Sequence, residues 1–284
     1  MPKTYNDIYI SLSRRLRDAG VEDNTLEARL IVAAAAGKTQ AELLRDLQLY
    51  SSAEIEAKAA ALAQRRLMGE PAAYVTGRWG FYGLEFKITP DVLIPRSDTE
   101  VLVEQAVGLL QGRADARVLD LCAGSGCVGC ALAHALPRSR VVLVDNSDRA
   151  LAVAQENVWT LGLADRAECI RGDVREEPSP GLGSFDLIAA NPPYVRSAEV
   201  DTLDASVRNF EPRAALDGGM DGLDFYRAIL QNWTKVLRQS GHLLFEVGED
   251  QAQEVARLLR RAGLRSIGTA KDTLGYDRVV YGKL

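Results

Sequence analysis

The sequence predicts an α/β fold: a doubly wound, mostly parallel, seven-stranded sheet, preceded by a small all-α domain and a β-hairpin linker. Three observations predict it. From Arg117 onward, short, nearly continuous apolar runs alternate with helix-length stretches, the pattern of strands covered on both faces by crossover helices. Residues 1–70 lack such runs and show apolar positions at helical spacing instead. Between the two, residues 71–92 are rich in Tyr, Val, Phe and Trp and broken by glycine and proline, as a hairpin is.

The elements follow in order. Tyr5, Ile8, Leu12 and Leu16 share one helix face, and Gly20 supplies a stop. A second helix opens near Asn24-Thr25 and runs to Gly37. Thr39 caps a short third helix, and Ser51-Ser52 with Glu54 opens a fourth that ends near Met68. After the hairpin, a helix is expected from Asp98 to Gly112. In residues 93–284 the expected strands are "ARVLDLCAG", "RVVLVD", "AECIRGD", "FDLIAAN" and "GHLLFEVG". Helices are expected over 127–136, 147–161, 224–238 and 250–262. The end, "LRSIGTAKDTLGYDRVVYGKL", reads as two strands of a hairpin, adding an antiparallel strand to the sheet.

Charge narrows the function. The net charge is -5, and the first 70 residues hold 10 basic and 10 acidic side chains, leaving 24 and 29 in the remainder. Neither part is a basic block, which argues against nucleic acid as the main partner. No stretch approaches the ~18 consecutive apolar residues of a membrane span, and "MPKTYNDIYI" lacks a secretory pattern. A cytoplasmic protein without a membrane partner is expected.

Cys122, Cys127 and Cys130, with Cys169 downstream, have the spacing of a plant-type iron–sulfur ligand set. Their positions favour packing over ligation. Two flank a glycine-rich turn, one falls on the next helix and one in a strand, and no metal is expected.

The first chemical signal is "VLDLCAGSGCVG", where Gly124 and Gly126 sit at a strand-to-helix turn and let a ligand approach the backbone. The next strand ends in Asp145, about 20 residues on, where an acidic side chain binds both ribose hydroxyls. The string "GSGCVG" also fits a dinucleotide fingerprint. Asp120, just before the loop, decides between the two: it repels a pyrophosphate and attracts a sulfonium or an amino group. S-adenosylmethionine is therefore expected rather than NAD. Asp173, in "RGDVRE", is offered to the adenine amino group and Val174 to the ring. The plainer reading of Asp145 and Asp173 is that each caps a helix.

The second signal is Asn191-Pro192-Pro193-Tyr194, after the strand "FDLIAA". Open α/β sheets bind ligands at this end of their strands. Neither proline has an N–H, so the ladder stops and the corner stiffens. The Asn191 side-chain oxygen and the Pro192 carbonyl can then accept two hydrogen bonds from one planar NH2 group, with Tyr194 as a flat face. A planar nitrogen is a poor nucleophile, and two acceptors stabilise the charge it gains on attacking a methyl sulfonium. No strong base is needed, which agrees with His134 and His242 lying away from both strand ends. The plainer reading is a loop with Tyr194 in the core.

With both signals in place, the chain resembles the glutamine N5-methyltransferases that modify peptide chain release factors. The likeness is carried by "PAAYVTG", "FYGLEFKITPDVLIPRSDTE", "DLCAGSG", "NPPYV", "EPRAALDGGMDGLDFYR" and "GHLLFEVGEDQ". It implies a class I methyltransferase, Rossmann-like fold, S-adenosylmethionine as methyl donor and a release factor's Gly-Gly-Gln loop as substrate. It assigns Cys122, Ala123, Gly124, Ser125 and Gly126 to the cofactor loop, Asp145 to the ribose and Val174 to the adenine pocket. It assigns Asn191, Pro192, Pro193 and Tyr194 to the glutamine, Phe81 and Arg96 to a segment closing over the cofactor, and residues 1–70 to release-factor docking.

Two departures stand out: "GRWGFYG" replaces a charged string, and Cys122 occupies a position where glycine is commoner, which requires an ordinary backbone there. Rival readings are glutamine methylation of a ribosomal protein, adenine-N6 methylation of DNA, and a non-catalytic cofactor-binding module.

Overall fold

The computed structural model describes residues 2–113 and 115–284. Two compact units emerge: Met1–Trp79 with Asp204–Phe210, and Gly80–Leu203 with Glu211–Leu284.

The first unit is helical. It contains α1 (Tyr5–Asp18), α2 (Asn24–Ala36), α3 (Gln40–Asp46), α4 (Ala53–Leu67) and α5 (Ala72–Thr76). Capping sets the starts. Thr4 and Asp7 form a reciprocal box, with the Asp7 amide donating to Thr4 Oγ1 at 3.1 Å and the Thr4 amide to Asp7 Oδ2 at 2.8 Å. Thr39 and Glu42 repeat it, and Ser52 caps α4. Tyr5, Ile8, Leu12 and Leu16 of α1 pack with Ile31 and Val32 of α2 and with Ala59 and Ala63 of α4. α5 departs from the expected hairpin. "AAYVT" has strand-like composition, but Pro71 fixes the entry and Gly77, at φ 73, ends one short helix whose residues 72–75 are buried. The hairpin itself is shorter: β1 (Arg78–Phe81) and β2 (Leu84–Lys87).

The second unit carries α6 (Glu100–Leu109), β3 (Arg117–Leu121), α7 (Cys127–Ala135), β4 (Arg140–Asp145), α8 (Asp148–Thr160), β5 (Ala167–Arg171) and β6 (Phe185–Ala190). After β6 come α9 (Ser197–Val200), α10 (Ala205–Phe210), α11 (Asp224–Asn232), β7 (Leu237–Glu246), α12 (Ala252–Arg261), β8 (Arg265–Lys271) and β9 (Asp277–Lys283). Of these, α10 belongs to the first unit. The helix expected to reach 238 ends at Asn232; a 3-10 turn follows and Leu237 already opens β7. Among the described residues, no helix is long and apolar enough to cross a membrane.

The sheet order is β5-β4-β3-β6-β7-β9-β8. Strands β3 to β7 pair in parallel, while β9 runs antiparallel to both β7 and β8. The chain leaves β3 outward through β4 to β5, then returns to β6 on the other side. That reversal opens a crevice at the carboxyl ends of β3 and β6, where the order switches. Register brings those ends level: Leu121 pairs with Val144 and Ala190, and Ala190 with Phe245.

Candidate active site

The turn from β3 to α7 is held by three left-handed residues in five. Cys122 has φ 59, Gly124 φ 54 and Gly126 φ 78. The ordinary backbone expected at Cys122 is therefore not what forms. Its amide neighbour explains the bend: the Ala123 amide turns to donate to the Val144 carbonyl at 3.0 Å, and Gly126 closes back on Ala123 at 2.7 Å. A left-handed L-residue costs roughly 1–2 kcal/mol.

Around this turn the acidic side chains meet main-chain amides. Asp145, at the end of β4, accepts from the Gly124 amide at 2.9 Å and from the Ser147 amide at 2.9 Å. Burial raises its pKa against these donors. Buried Asp120 accepts from the Gly129 amide at 2.8 Å, in the first turn of α7, and burial lifts it to about 7. A side chain at position 129 would stand 2.8 Å from Leu143 and 2.9 Å from the Asp120 carboxyl, so glycine there lets helix and strand close. Buried Asn157 donates to the Ser125 carbonyl at 2.9 Å and clasps Lys87 through both amide and carbonyl, fixing the loop to β2. Asp173, past β5, is gripped by Arg175, which holds it down to about 2.

At the end of β6, Asn191 Nδ2 donates to Thr99 Oγ1 at 3.3 Å. Among the described residues, no donor is paired with the Pro192 carbonyl. The corner is clamped from behind. Gln251 donates to the Tyr194 carbonyl at 2.9 Å, and Val195 and Gly218 exchange main-chain bonds with the neighbouring segment. Burial pushes the Tyr194 phenol up, so it stays neutral.

One cleft, open to solvent, joins these parts. Cys122, Ala123, Gly124, Ser125, Asp145, Asp173, Val174, Asn191 and Pro193 all line it, together with Asp120 and Arg96. Gly126 does not, since it packs beneath the loop against Leu143 and Ala154. Pro192 and Tyr194, on either side of Pro193, are not among the lining residues. Phe81, expected over the cofactor, is 2% exposed and meets Phe86 edge-on, outside the lining. Arg96 is drawn to buried Glu211, which also accepts from the Ile94 amide at 3.2 Å.

The lining tests the expected cofactor. It presents Asp91, Asp120, Asp145 and Asp173 against a single arginine, Arg96, which is already paired. Such a wall disfavours a pyrophosphate and suits a nucleoside carrying positive charge. Asp145 spends one bond per oxygen, leaving lone pairs for two hydroxyls. The residues fit S-adenosylmethionine.

The family model for the PrmC N-terminal domain matches residues 7–77, and that for the methyltransferase small domain matches residues 97–212. The release factor glutamine methyltransferase of Caulobacter vibrioides is 40% identical over 270 residues, covering 94% of this chain and 92% of that protein. The chain belongs to the release factor glutamine methyltransferase family.

Its counterpart in Geobacter sulfurreducens is 42% identical over 269 residues, covering 95% and 93%. A human methyltransferase 10 domain containing protein shares the fold alone, with TM-score 0.50, 17% identity, and coverage of 71% of this chain and 90% of that one. Within this member of the family, the sequence alone assigns no role to Thr99, Asn157, Glu211, Glu246 and Gln251. Asn157 and Gln251 carried no signal, being single polar residues in helix-like stretches. Glu211 and Glu246 did carry one, each a charge beside apolar or proline-bearing runs.

Proposed function

We infer that the protein transfers a methyl group from S-adenosylmethionine to the side-chain amide nitrogen of the glutamine in a release factor's Gly-Gly-Gln loop. One observation carries the reading: Asn191 lines the same cleft as the Gly124–Asp145 pair, so an amide acceptor and a nucleoside holder face one space.

S-adenosylmethionine, when bound, would supply a methyl group from its sulfonium, the sulfur keeping the electron pair of the S–C bond. Cys122 to Ser125 and Asp145 would hold it, with Asp145 toward the ribose and Asp173 and Val174 toward the adenine. Asn191 Oδ1 and the Pro192 carbonyl accept both hydrogens of the glutamine NH2, orienting the nitrogen and stabilising its developing charge. Pro193 keeps that corner stiff, and Tyr194 backs the planar group. Neither acceptor takes a proton, so the one left on nitrogen goes to water. Residues 1–70 supply the release-factor docking domain, residues 71–92 the linker and residues 93–284 the methyl-transfer domain, acting in the cytoplasm.

Mass spectrometry of a release factor incubated with protein and S-adenosylmethionine tests this. One methyl on the Gly-Gly-Gln glutamine is expected. Labelled methyl appearing only on a ribosomal protein, or only on DNA, overturns it.

A further inference from the structure

Asn191 can serve as an acceptor only if its amide presents oxygen, not nitrogen, to the substrate. A terminal amide is nearly symmetric in shape, so something must decide which way it points. Thr99 alone cannot, because a hydroxyl both donates and accepts.

The neighbour that can decide is Glu246. Strands β6 and β7 are parallel with Ala190 opposite Phe245, so the next residue on each strand, Asn191 and Glu246, stand side by side. Glu246 is 1% exposed and Thr99 2%. The Thr99 and Asn191 side chains lie close enough to the Glu246 carboxyl to favour its ionised form, and its buried Oε2 has no hydrogen-bond partner among the described residues. An ionised carboxylate only accepts. It can only accept from the Thr99 hydroxyl, an arrangement that leaves Thr99 Oγ1 to accept from Asn191 Nδ2, as it does at 3.3 Å. That leaves Asn191 Oδ1 for the cleft.

We propose that Glu246, acting through Thr99, is a positioning residue that sets the orientation of the Asn191 amide and makes its oxygen the better acceptor. The inference rests on the methyl-transfer reading above. A hydrogen bond chain ending in an anion polarises each member, so Asn191 Oδ1 carries more negative charge where the substrate nitrogen becomes positive.

The charge state matters because Glu246 is buried. The groups facing it are Asp98 before α6, Tyr194 after β6, Tyr226 on α11, Cys127 on α7 and Arg278 on β9. Arg278 favours the anion, but it is shared with Asp272 at 3.0 Å and Asp98 at 3.3 Å. Burial wins, and the carboxyl titrates at about 7. Transfer should therefore strengthen as pH rises through that value.

Single-turnover and steady-state rates on a release factor, across pH at saturating cofactor, test the proposal. Glu246→Gln should lower kcat roughly 10- to 100-fold, the range for one charged hydrogen bond, and erase the inflection near pH 7. Its cofactor Kd and melting temperature, measured in parallel, separate this from misfolding. Thr99→Ser should keep the wild-type rate and pH profile, and Thr99→Val should lower kcat with KM for cofactor unchanged. A Glu246→Gln rate within about threefold of wild type overturns the proposal, as does an inflection that survives Glu246→Gln when Asp120, which titrates in the same range, is also replaced by Asn. Absence of transfer to release factor by the wild-type protein would instead remove the functional reading itself.

Discussion

The Gly124 amide donates to Asp145 Oδ2 at 2.9 Å, tying the β3–α7 turn to the end of β4. The same carboxyl therefore shapes the loop and, in the functional reading, holds the ribose. Asp145→Ala should raise the cofactor Kd by roughly 10- to 100-fold, the range for a hydrogen-bonded charge. Isothermal titration calorimetry would check this. At saturating cofactor, kcat should fall much less, because Asp145 does not reach the acceptor side.

Asn191→Ala should show the reverse. Losing one preorganised acceptor costs on the order of 10² to 10³ in kcat, while the cofactor Kd moves little. Retained transfer at the wild-type rate would return the corner to a structural role.

Cys122 holds φ 59 without being glycine. Cys122→Gly removes the strain but adds freedom to the unfolded chain, so the gain should be at most ~1 kcal/mol, a few degrees in Tm. Cys122→Val should lose stability, since a β-branched side chain tolerates this region worst. Calorimetry of both variants gives the sign.

Gly218 has no room for a methyl group. A Cβ there would lie 2.7 Å from the Pro193 carbonyl oxygen and 2.7 Å from the Tyr194 Cα. Gly218→Ala should displace the corner, costing about 1–3 kcal/mol of stability and lowering kcat more than cofactor affinity. Equal losses in both would place the damage elsewhere.

Burial lifts both Asp120 and Glu246 to about 7, above the ~4 of an unfolded carboxyl. The folded protein then holds more protons than the unfolded chain between those values. The stability these groups contribute is complete below pH ~4 and is lost as pH rises through about 7. Tm should decline from about pH 5 to 8, and Asp120→Asn, which keeps an acceptor for Gly129, should flatten the decline. An unchanged slope would contradict the burial argument.

Much of the fold was legible because it is written locally. Thr4, Thr39 and Ser52 announce helix starts, and the apolar runs at 117–121, 140–145 and 185–190 announce strands. What escaped depends on distance. The helix at 72–76 forms from residues with strand preference because its surroundings bury it, as tertiary context overrides propensity. The left-handed Cys122 is imposed by the bond from Ala123 to Val144 on another strand. The cofactor loop, Asp145 and Asn191 could be named from spacing; Glu246 shows in the sequence only as a charge ending an apolar run, and it takes the β6–β7 register to set it beside Asn191.

The strand order has a consequence for how specificity can change. Residues assigned to the methyl donor lie within 120–174, on β3 to β5, and those assigned to the acceptor amide begin at 191, on β6 and β7. The donor pocket is thus one unbroken stretch of chain, whereas the acceptor side draws on several: the corner at 191, Thr99 before β3 and, in the functional reading, residues 1–70. Exchange of those flanking stretches between relatives would retarget the methyl group while the donor pocket is inherited unaltered.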